Sequence, residues 1–156
     1  MDLHRKPDVT IPDGPPPAEL VIDDLVVGDG MEATAGMQVT VDYVGVSWST
    51  KAEFDASWNR NDTFSFGLGA GQVIQGWDQG VQGMKVGGRR RLTIPPDMGY
   101  GQFGAGGVIG PNETLVFVVD LRSVGGATWP DSSLIPTPTS TGPLMRASTP
   151  FGRPSR

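Results

Sequence analysis

The sequence predicts an α+β fold in which an antiparallel sheet of about five strands wraps around one short α-helix. The helix is indicated by apolar residues at spacings of three and four within VIQGWDQGVQGMKVGG, residues 73–88. These apolar residues are Ile74, Trp77, Val81 and Met84. The segments on both sides of this stretch are mostly strand-like, and both ends of the chain are rich in proline.

The predicted helix is weak by itself, because three glycines fall within its period: Gly76, Gly80 and Gly83. Each interior glycine costs a helix roughly 0.5–1 kcal/mol relative to alanine. We therefore expect the helix to form only against a large packing surface, and to stop at Gly87 and Gly88. Trp77 lies near the start of the helix, so its indole is either an ordinary core ring or the floor of a pocket.

The strands are predicted from short apolar or alternating runs at residues 19–28, 37–48, 53–56, 63–66, 89–94 and 114–124. In the second run Val39, Val41 and Tyr43 share one face, and Val44 interrupts the alternation. This pattern predicts a sheet with one covered face. Three consecutive arginines at residues 89–91 are interpreted as a solvated strand start rather than as a surface for a partner.

The change in composition along the chain predicts three parts. Residues 1–18 form a flexible Pro-rich leader, in which Val9 and Ile11 are expected to contact an apolar surface. Residues 19–125 form the folded domain. Residues 126–156 are rich in Pro, Ser and Thr and are expected to be a disordered tail.

The composition argues against several kinds of site. The chain has no cysteine and a single histidine, His4, so thiolate, imidazole and zinc chemistry are disfavoured and no cofactor is expected. A net charge of -5 over 156 residues argues against nucleic acid as the partner. No apolar run approaches the length of a membrane span, and no signal-peptide pattern is present. We therefore expect a cytoplasmic protein with no membrane partner, acting as a monomer.

Two groups of residues are open to two interpretations each. The loop at residues 97–111 carries four large apolar or aromatic side chains: Tyr100, Phe103, Val108 and Ile109. These side chains either fold back over the sheet edge or form one wall of a pocket. Asp55 lies among apolar residues with Arg60 close enough in sequence to pair with it, as a structural salt bridge or as part of a site. The glycine strings lack the context of a dinucleotide or phosphate loop.

Five segments, in order across about residues 20–124, resemble one known family. They are VDYVGV (41–46), FDASWNRND (54–62), FSFGLGAGQVIQGWDQGVQGMKVGG (64–88), LTIPPDMGYG (92–101) and ETLVFVVDL (113–121). They resemble the FKBP family, the tacrolimus-binding peptidyl-prolyl cis-trans isomerases. The family fold, a curved antiparallel sheet around one short helix, agrees with the fold predicted from the pattern.

The resemblance implies a specific site. Its catalytic residues would be Asp55, Tyr100, Phe117 and Trp77, and its substrate-binding residues would be Tyr43, Phe54, Arg60, Phe64, Val73, Ile74, Val108 and Ile109. Trp77 would be the pocket floor, and Asp55 would lie near the substrate carbonyl, steadied by Tyr43 and Arg60. Tyr100 and the backbone N–H of Ile74 would donate hydrogen bonds to ligand carbonyls.

The implied function is isomerisation of Xaa-Pro bonds in proteins to assist folding, with an apolar residue preferred before proline and with tacrolimus and rapamycin as inhibitors. The alternative is a peptide-binding chaperone or scaffold whose isomerase activity is incidental. A third possibility is that the tails dock a partner. Three positions depart from the family pattern and bear on substrate preference: Gly67, Met98 and Ala105.

Overall fold

Six antiparallel strands form one sheet in the computed structural model, which describes residues 4–105 and 108–125. The strands are β1 (Val21–Val26), β2 (Gln38–Ser47), β3 (Glu53–Ala56), β4 (Phe64–Gly67), β5 (Arg89–Ile94) and β6 (Leu115–Gly125). Within these ranges a single α-helix, α1, spans Gln75–Gly80, and 3₁₀ turns span Ser57–Arg60, Pro96–Met98 and Gly101–Phe103. The predicted α+β class is confirmed, with six strands in place of about five. The predicted tail, residues 126–156, lies outside the described residues.

Strand β2 pairs with three other strands of the sheet. The strand order is β1-β5-β6-β2-β3, and β4 also pairs with β2, so β3 and β4 share the edge of β2 that faces away from β6. Between β3 and β4, the Tyr43 N–H donates to Ser57 Oγ over 2.9 Å, and Ser57 Oγ donates to Asp42 Oδ1 over 2.7 Å. The 3₁₀ turn that begins at Ser57 therefore closes the gap between the two short strands.

Helix α1 is shorter than the sequence pattern predicts. All four residues of the apolar stripe are buried, but the helix ends at Gly80, and the expected stop at Gly87 and Gly88 is wrong. The chain turns at Gly83, where φ is +90° and the N–H donates to the Ala33 carbonyl over 2.8 Å. Arg90 donates to the carbonyl of Gly80 over 2.8 Å and so satisfies one terminal acceptor of the helix. No helix within the described ranges combines the length and the apolarity needed to cross a bilayer.

The glycines of α1 allow the helix to lie very close to β5. A Cβ atom built on Gly76 would stand 2.6 Å from Ile94 Cγ2, and one on Gly80 would stand 2.8 Å from Leu92 Cδ2. Both distances are shorter than real Cβ contacts. The loss of helix propensity at these positions is therefore offset by burial of the helix against two fully buried side chains of the sheet.

Both faces of the sheet are covered, which corrects the expectation of one covered face. The face opposite α1 carries a second apolar cluster of buried residues: Ile11, Val44, Val46, Ala56 and Val116. Val9, Trp48 and Trp58 pack against its margin. Val44 interrupts the alternation because its side chain meets this cluster rather than water. The expected contact of Val9 and Ile11 with an apolar surface is made here.

The interpretation of the arginine run as solvated is wrong for its first two members. Arg89 is 3% exposed and pairs with Asp120 through two hydrogen bonds of 2.6 and 2.8 Å. Arg90 is 8% exposed and pairs with Asp24 over 2.6 Å. Alternation along β5 sends these two side chains to opposite faces, and since both faces are covered, each buried charge requires a partner.

The close helix–sheet contact makes a testable prediction about stability. The substitution Gly76→Ala should lower the free energy of unfolding by about 1–3 kcal/mol, because the added methyl group must displace Ile94. Helix propensity alone predicts the opposite sign, a gain of about 1 kcal/mol. Urea denaturation measures the difference, with Gln79→Ala at an exposed position of the same helix as the control, expected to stay within about 0.5 kcal/mol of wild type. A stabilised Gly76→Ala variant would contradict this account of the packing.

Candidate active site

A ring of aromatic side chains surrounds Trp77, which is completely buried on α1. The ring centroids of Tyr43 and Phe117 lie 5.2 and 5.3 Å from that of Trp77, with interplanar angles of 80° and 88°. Phe66 and Phe64 lie at 5.5 and 6.1 Å. The rings of Tyr43, Phe117 and Phe64 meet Trp77 edge to face, and Phe66 is tilted by 55°. Edge-to-face contacts bring the positive ring edge to the negative ring face and add about 0.5–1.5 kcal/mol per pair beyond the burial of area. The indole orientation is therefore fixed from several directions.

Strand register places the two nearest partners of Trp77 on adjacent strands. In the β2–β6 ladder Tyr43 pairs with Val119 and Gly45 pairs with Phe117. A Cβ on Gly45 would stand 2.6 Å from Phe54 Cζ and 2.7 Å from Phe117 Cε1. Gly45 thus leaves the space in which Phe54 and Phe117 meet edge to face, with centroids 5.5 Å apart.

One polar cluster lies beside this aromatic ring. Tyr43 Oη donates to Asp55 Oδ2 over 2.7 Å, and Arg60 Nη1 donates to Asp55 Oδ1 over 2.7 Å. Arg60 Nη2 also donates to Tyr43 Oη over 2.6 Å, which closes a three-membered network. The Asp55 side chain is only 9% exposed, whereas that of Arg60 is 40% exposed. The carboxylate is therefore held at the boundary between the apolar ring and solvent, with its charge compensated on the solvent side.

A β-bulge explains how one short strand supplies two neighbouring site residues. The β2–β3 register shifts between Gly45, which pairs with Asp55, and Val46, which pairs with Glu53. Phe54 is thus the extra residue of β3, without a rung of its own. Bulges redirect side chains, and here Phe54 reaches Phe117 while the adjacent Asp55 reaches Tyr43.

Asp78 of α1 holds the loop that leads into the helix. Its carboxylate accepts the N–H groups of Gly69 and Gly71 over 2.9 and 3.0 Å. Both glycines have positive φ, +80° and +76°, a conformation that side chains disfavour. Burial raises the pKa of Asp78, and the two N–H donors oppose that shift. This network fixes the chain just before Val73 and Ile74, which are 2% and 5% exposed beside Trp77.

The loop at residues 97–111, the flap, divides between core and solvent. Tyr100 and Ile109 are buried in the same cluster as Trp77, whereas Val108 is 47% exposed. Ala105 and Ile109 exchange two backbone hydrogen bonds of 2.8 and 3.1 Å, which close the described part of the flap. Of the two residues predicted on the flap, Ile109 therefore belongs to the buried cluster around Trp77, and Val108 lies outside that cluster. Gly106 and Gly107 are outside the described residues.

Burial governs the ionisation of the two tyrosines near Asp55. It raises the pKa of Tyr43, and the negative charge of Asp55 raises it further. Burial likewise raises the pKa of Tyr100 well above its usual range, with smaller contributions from Asp55 and Tyr43. Burial lowers the pKa of Arg60, but its contacts with Asp55 and Tyr43 outweigh that effect, so the net shift is upward. The two phenols remain neutral hydrogen-bond donors, and Arg60 remains charged.

The chain matches the family model described as "FKBP-type peptidyl-prolyl cis-trans isomerase" over residues 30–122. The matched range contains every element of the site above. The chain belongs to the FKBP family. It is accordingly a peptidyl-prolyl cis-trans isomerase, and the six-stranded antiparallel sheet with one short helix is the FKBP fold.

Relatives and solved structures agree with this assignment. The "FK506-binding protein" of Streptomyces anulatus is 62% identical over 121 residues, which cover 77% of this chain and 98% of that protein. The "Probable FK506-binding protein" of Corynebacterium glutamicum is 51% identical over 119 residues, covering 76% of this chain and 98% of that protein. The crystal structure of FkpA from Escherichia coli is similar, with a TM-score of 0.63 and 40% identity over 70% of this chain and 49% of that one. For the crystal structure of AtFKBP13 the TM-score is 0.62 and the identity 38%, over 67% of this chain and 91% of that one.

All twelve predicted site residues lie within the described part of this FKBP, and the structure gathers them, Val108 excepted, around Trp77 and Asp55. Three residues that shape the site were not predicted from the sequence: Gly45, Ser57 and Phe66. Phe66 was detectable, because it is two residues from Phe64 and so shares its strand face. Gly45 and Ser57 act through contacts with distant strands, and their neighbours in sequence gave no signal of this.

The raised tyrosine pKa values predict how this FKBP responds to alkali. The chain has two tyrosines, and both have a higher pKa in the folded state than in the unfolded state, where tyrosine titrates near pH 10. Their contribution to stability is therefore complete below about pH 10 and is lost as the pH rises further. Near-ultraviolet absorbance should show no tyrosinate in the folded protein near pH 10, whereas the same titration in urea should have its midpoint there. Tyrosinate formation near pH 10 without unfolding would contradict the burial argument.

Proposed function

We propose that the ring around Trp77 binds the proline of an Xaa-Pro segment and accelerates rotation about its peptide bond by a non-covalent mechanism. The observation that carries this proposal is a fully buried indole enclosed by aromatic edges, with one compensated carboxylate at its margin. The proline ring would lie on Trp77. The lining would come from Tyr43, Phe54, Phe64, Val73, Ile74, Phe117 and Ile109, with Val108 on the outer flap.

The chemistry follows from the electronic structure of the amide. Rotation about a prolyl bond has a barrier of about 20 kcal/mol because the planar amide must lose resonance. The twisted amide has less charge separation than the planar one, so an apolar environment destabilises the planar ground state relative to the transition state. No nucleophile, metal or proton transfer is required by this mechanism.

The polar groups at the margin would act on the carbonyl groups of the substrate. Tyr100 and the N–H of Ile74 would donate hydrogen bonds to ligand carbonyls, and fixed donors of this kind stabilise the rotated position. Asp55 would lie next to the carbonyl of the rotating bond, held by Tyr43 and Arg60. A network that is already formed before the substrate binds adds little reorganisation cost during the reaction.

We also propose the biological setting. The relatives of this chain are named for FK506, and the same apolar ring suits a macrolide of the tacrolimus or rapamycin type as a competitive inhibitor. The substrates would be proline-containing segments of other proteins, whose folding is slow where it waits for prolyl isomerisation. The protein would act as a cytoplasmic monomer, and a chaperone role would follow from this effect on folding.

An isomerisation assay tests the proposed pocket directly. A short Leu-Pro or Phe-Pro peptide, read out with a conformation-selective protease, should isomerise faster with the protein, and rapamycin should abolish the acceleration. The same peptide with alanine in place of proline, which has no appreciable cis population, serves as the control for protease effects. Acceleration that persists with rapamycin saturating its binding site would place catalysis outside the aromatic ring.

The role of the carboxylate is tested by Asp55→Asn. This change should lower kcat/KM about tenfold, equivalent to about 1.4 kcal/mol of transition-state stabilisation, because the charge beside the rotating bond is lost while the size is kept. Asp62→Asn, at an exposed position seven residues away, is the charge-matched control and should leave kcat/KM unchanged. Urea denaturation of both variants separates lost catalysis from lost folding. Equal kcat/KM for Asp55→Asn and wild type would remove Asp55 from the site.

A further inference from the structure

The segment at residues 5–14, here called the strap, crosses the face of the sheet opposite the aromatic ring. Its backbone carbonyls accept hydrogen bonds from side chains of the sheet. Arg89 donates to the Arg5 carbonyl over 3.1 Å and Arg91 to the Thr10 carbonyl over 2.8 Å. The strap has no helix or strand of its own, so these contacts determine its path.

One apolar anchor holds the middle of the strap. Ile11 is 8% exposed and packs in the second cluster with Val44 and Val46 of β2, Ala56 of β3 and Val116 of β6. Burial of this apolar side chain stabilises the contact between the strap and the sheet. Ala56 directly follows Asp55, so this anchor lies immediately behind the strand that carries the carboxylate.

Lys6 of the strap joins the two segments that carry the polar cluster. Its Nζ lies 2.8 Å from Glu53 Oε1 and donates to Asn59 Oδ1 over 3.0 Å. Asn59 Nδ2 in turn donates to Glu53 Oε2 over 2.8 Å. Glu53 stands two residues before Asp55, and Asn59 stands directly before Arg60. Lys6, Glu53 and Asn59 therefore form a second closed network between β3 and the 3₁₀ turn, the same two segments that Asp55 and Arg60 connect.

Of the two segments that Lys6 joins, β3 is weakly held by the sheet itself. Strand β3 has four residues, lies at the edge and is bulged, so it has three paired positions along β2 and none on its other side. Edge segments with few backbone bonds are drawn from the low-stability end of a fold. The Asp55 carboxylate must nevertheless keep its position to within a fraction of an ångström for catalysis.

We propose that the strap, through Lys6, is a positioning device for the catalytic carboxylate. Lys6 would act through Glu53 and Asn59, which it contacts, and not by touching the substrate. It restrains Glu53 and Asn59 and thereby the distance between Asp55 and Arg60. This inference rests on the role proposed above for Asp55 in the isomerase reaction.

The test compares two lysines in the full chain. Lys6→Met should lower kcat about threefold with little change in KM, the size expected for losing one partly exposed ion pair. Lys51→Met is the matched control, because Lys51 makes a 2.8 Å ion pair with Asp13 of the same strap but contacts neither flank of Asp55. The control should keep wild-type kcat. Lys6→Arg, which preserves the positive charge, should keep most of the wild-type kcat.

A double-mutant cycle and hydrogen exchange separate positioning from general stability. In the Asp55→Asn background, Lys6→Met should cause no further loss of kcat, because the group it positions is already gone. Amide exchange at residues 53–60 should accelerate in Lys6→Met and not in Lys51→Met.

Several results would overturn the strap proposal. They are an unchanged kcat for Lys6→Met, an equal loss in Lys51→Met, unchanged exchange at residues 53–60, or a full threefold loss in the Asp55→Asn background. An unaffected Asp55→Asn variant would instead overturn the role of Asp55, and with it the strap. A slow Asp55→Asn variant beside an unaffected Lys6→Met variant would overturn the strap alone.

Discussion

The close approach of α1 to the sheet is the constraint on which the rest of the structure depends. Gly76 and Gly80 bring the helix into direct contact with Ile94 and Leu92, and Trp77 is carried between them. At this depth the indole meets aromatic edges from the central strands. A helix held one methyl group further away would leave a gap under the indole, and packing energy falls steeply with such gaps. The glycines that make this segment a poor helix former are thus the residues that allow Trp77 to reach its position.

The contacts on the sheet face opposite α1 also fix the position of the site residues. A polar network crosses that face through a buried ion pair of Arg89 with Asp120 and a pair of Arg122 with Asp42, which are 2.6 and 2.9 Å long. Asp42 accepts from Ser57, and Ser57 accepts the backbone N–H of Tyr43. The strand that presents the Tyr43 phenol to Asp55 is therefore fixed from behind by satisfied hydrogen bonds, which a buried polar network needs in order to be stabilising.

The division between apolar floor and polar margin suits a reaction that changes shape without transferring a group. Burial keeps both phenols neutral, and the carboxylate of Asp55 is bound by Tyr43 on the buried side and by Arg60 on the side facing solvent. The twisted amide needs a dry environment and fixed donors, and both are properties of packing rather than of reactive side chains. This agrees with a composition that has no cysteine and one histidine.

The sequence by itself determined the fold class, the apolar stripe through Trp77 and, by resemblance, the family, and it predicted the residues of the site. These features are local, because helical spacing, strand alternation and short motifs are written in neighbouring residues. The tertiary structure decided where α1 ends, that Arg89 and Arg90 are buried, and that Val44 faces a second cluster covered by Ile11. Each of these depends on a contact between segments far apart in the chain. Periodicity can show which face of a strand is apolar, but only the folded chain shows what lies against it.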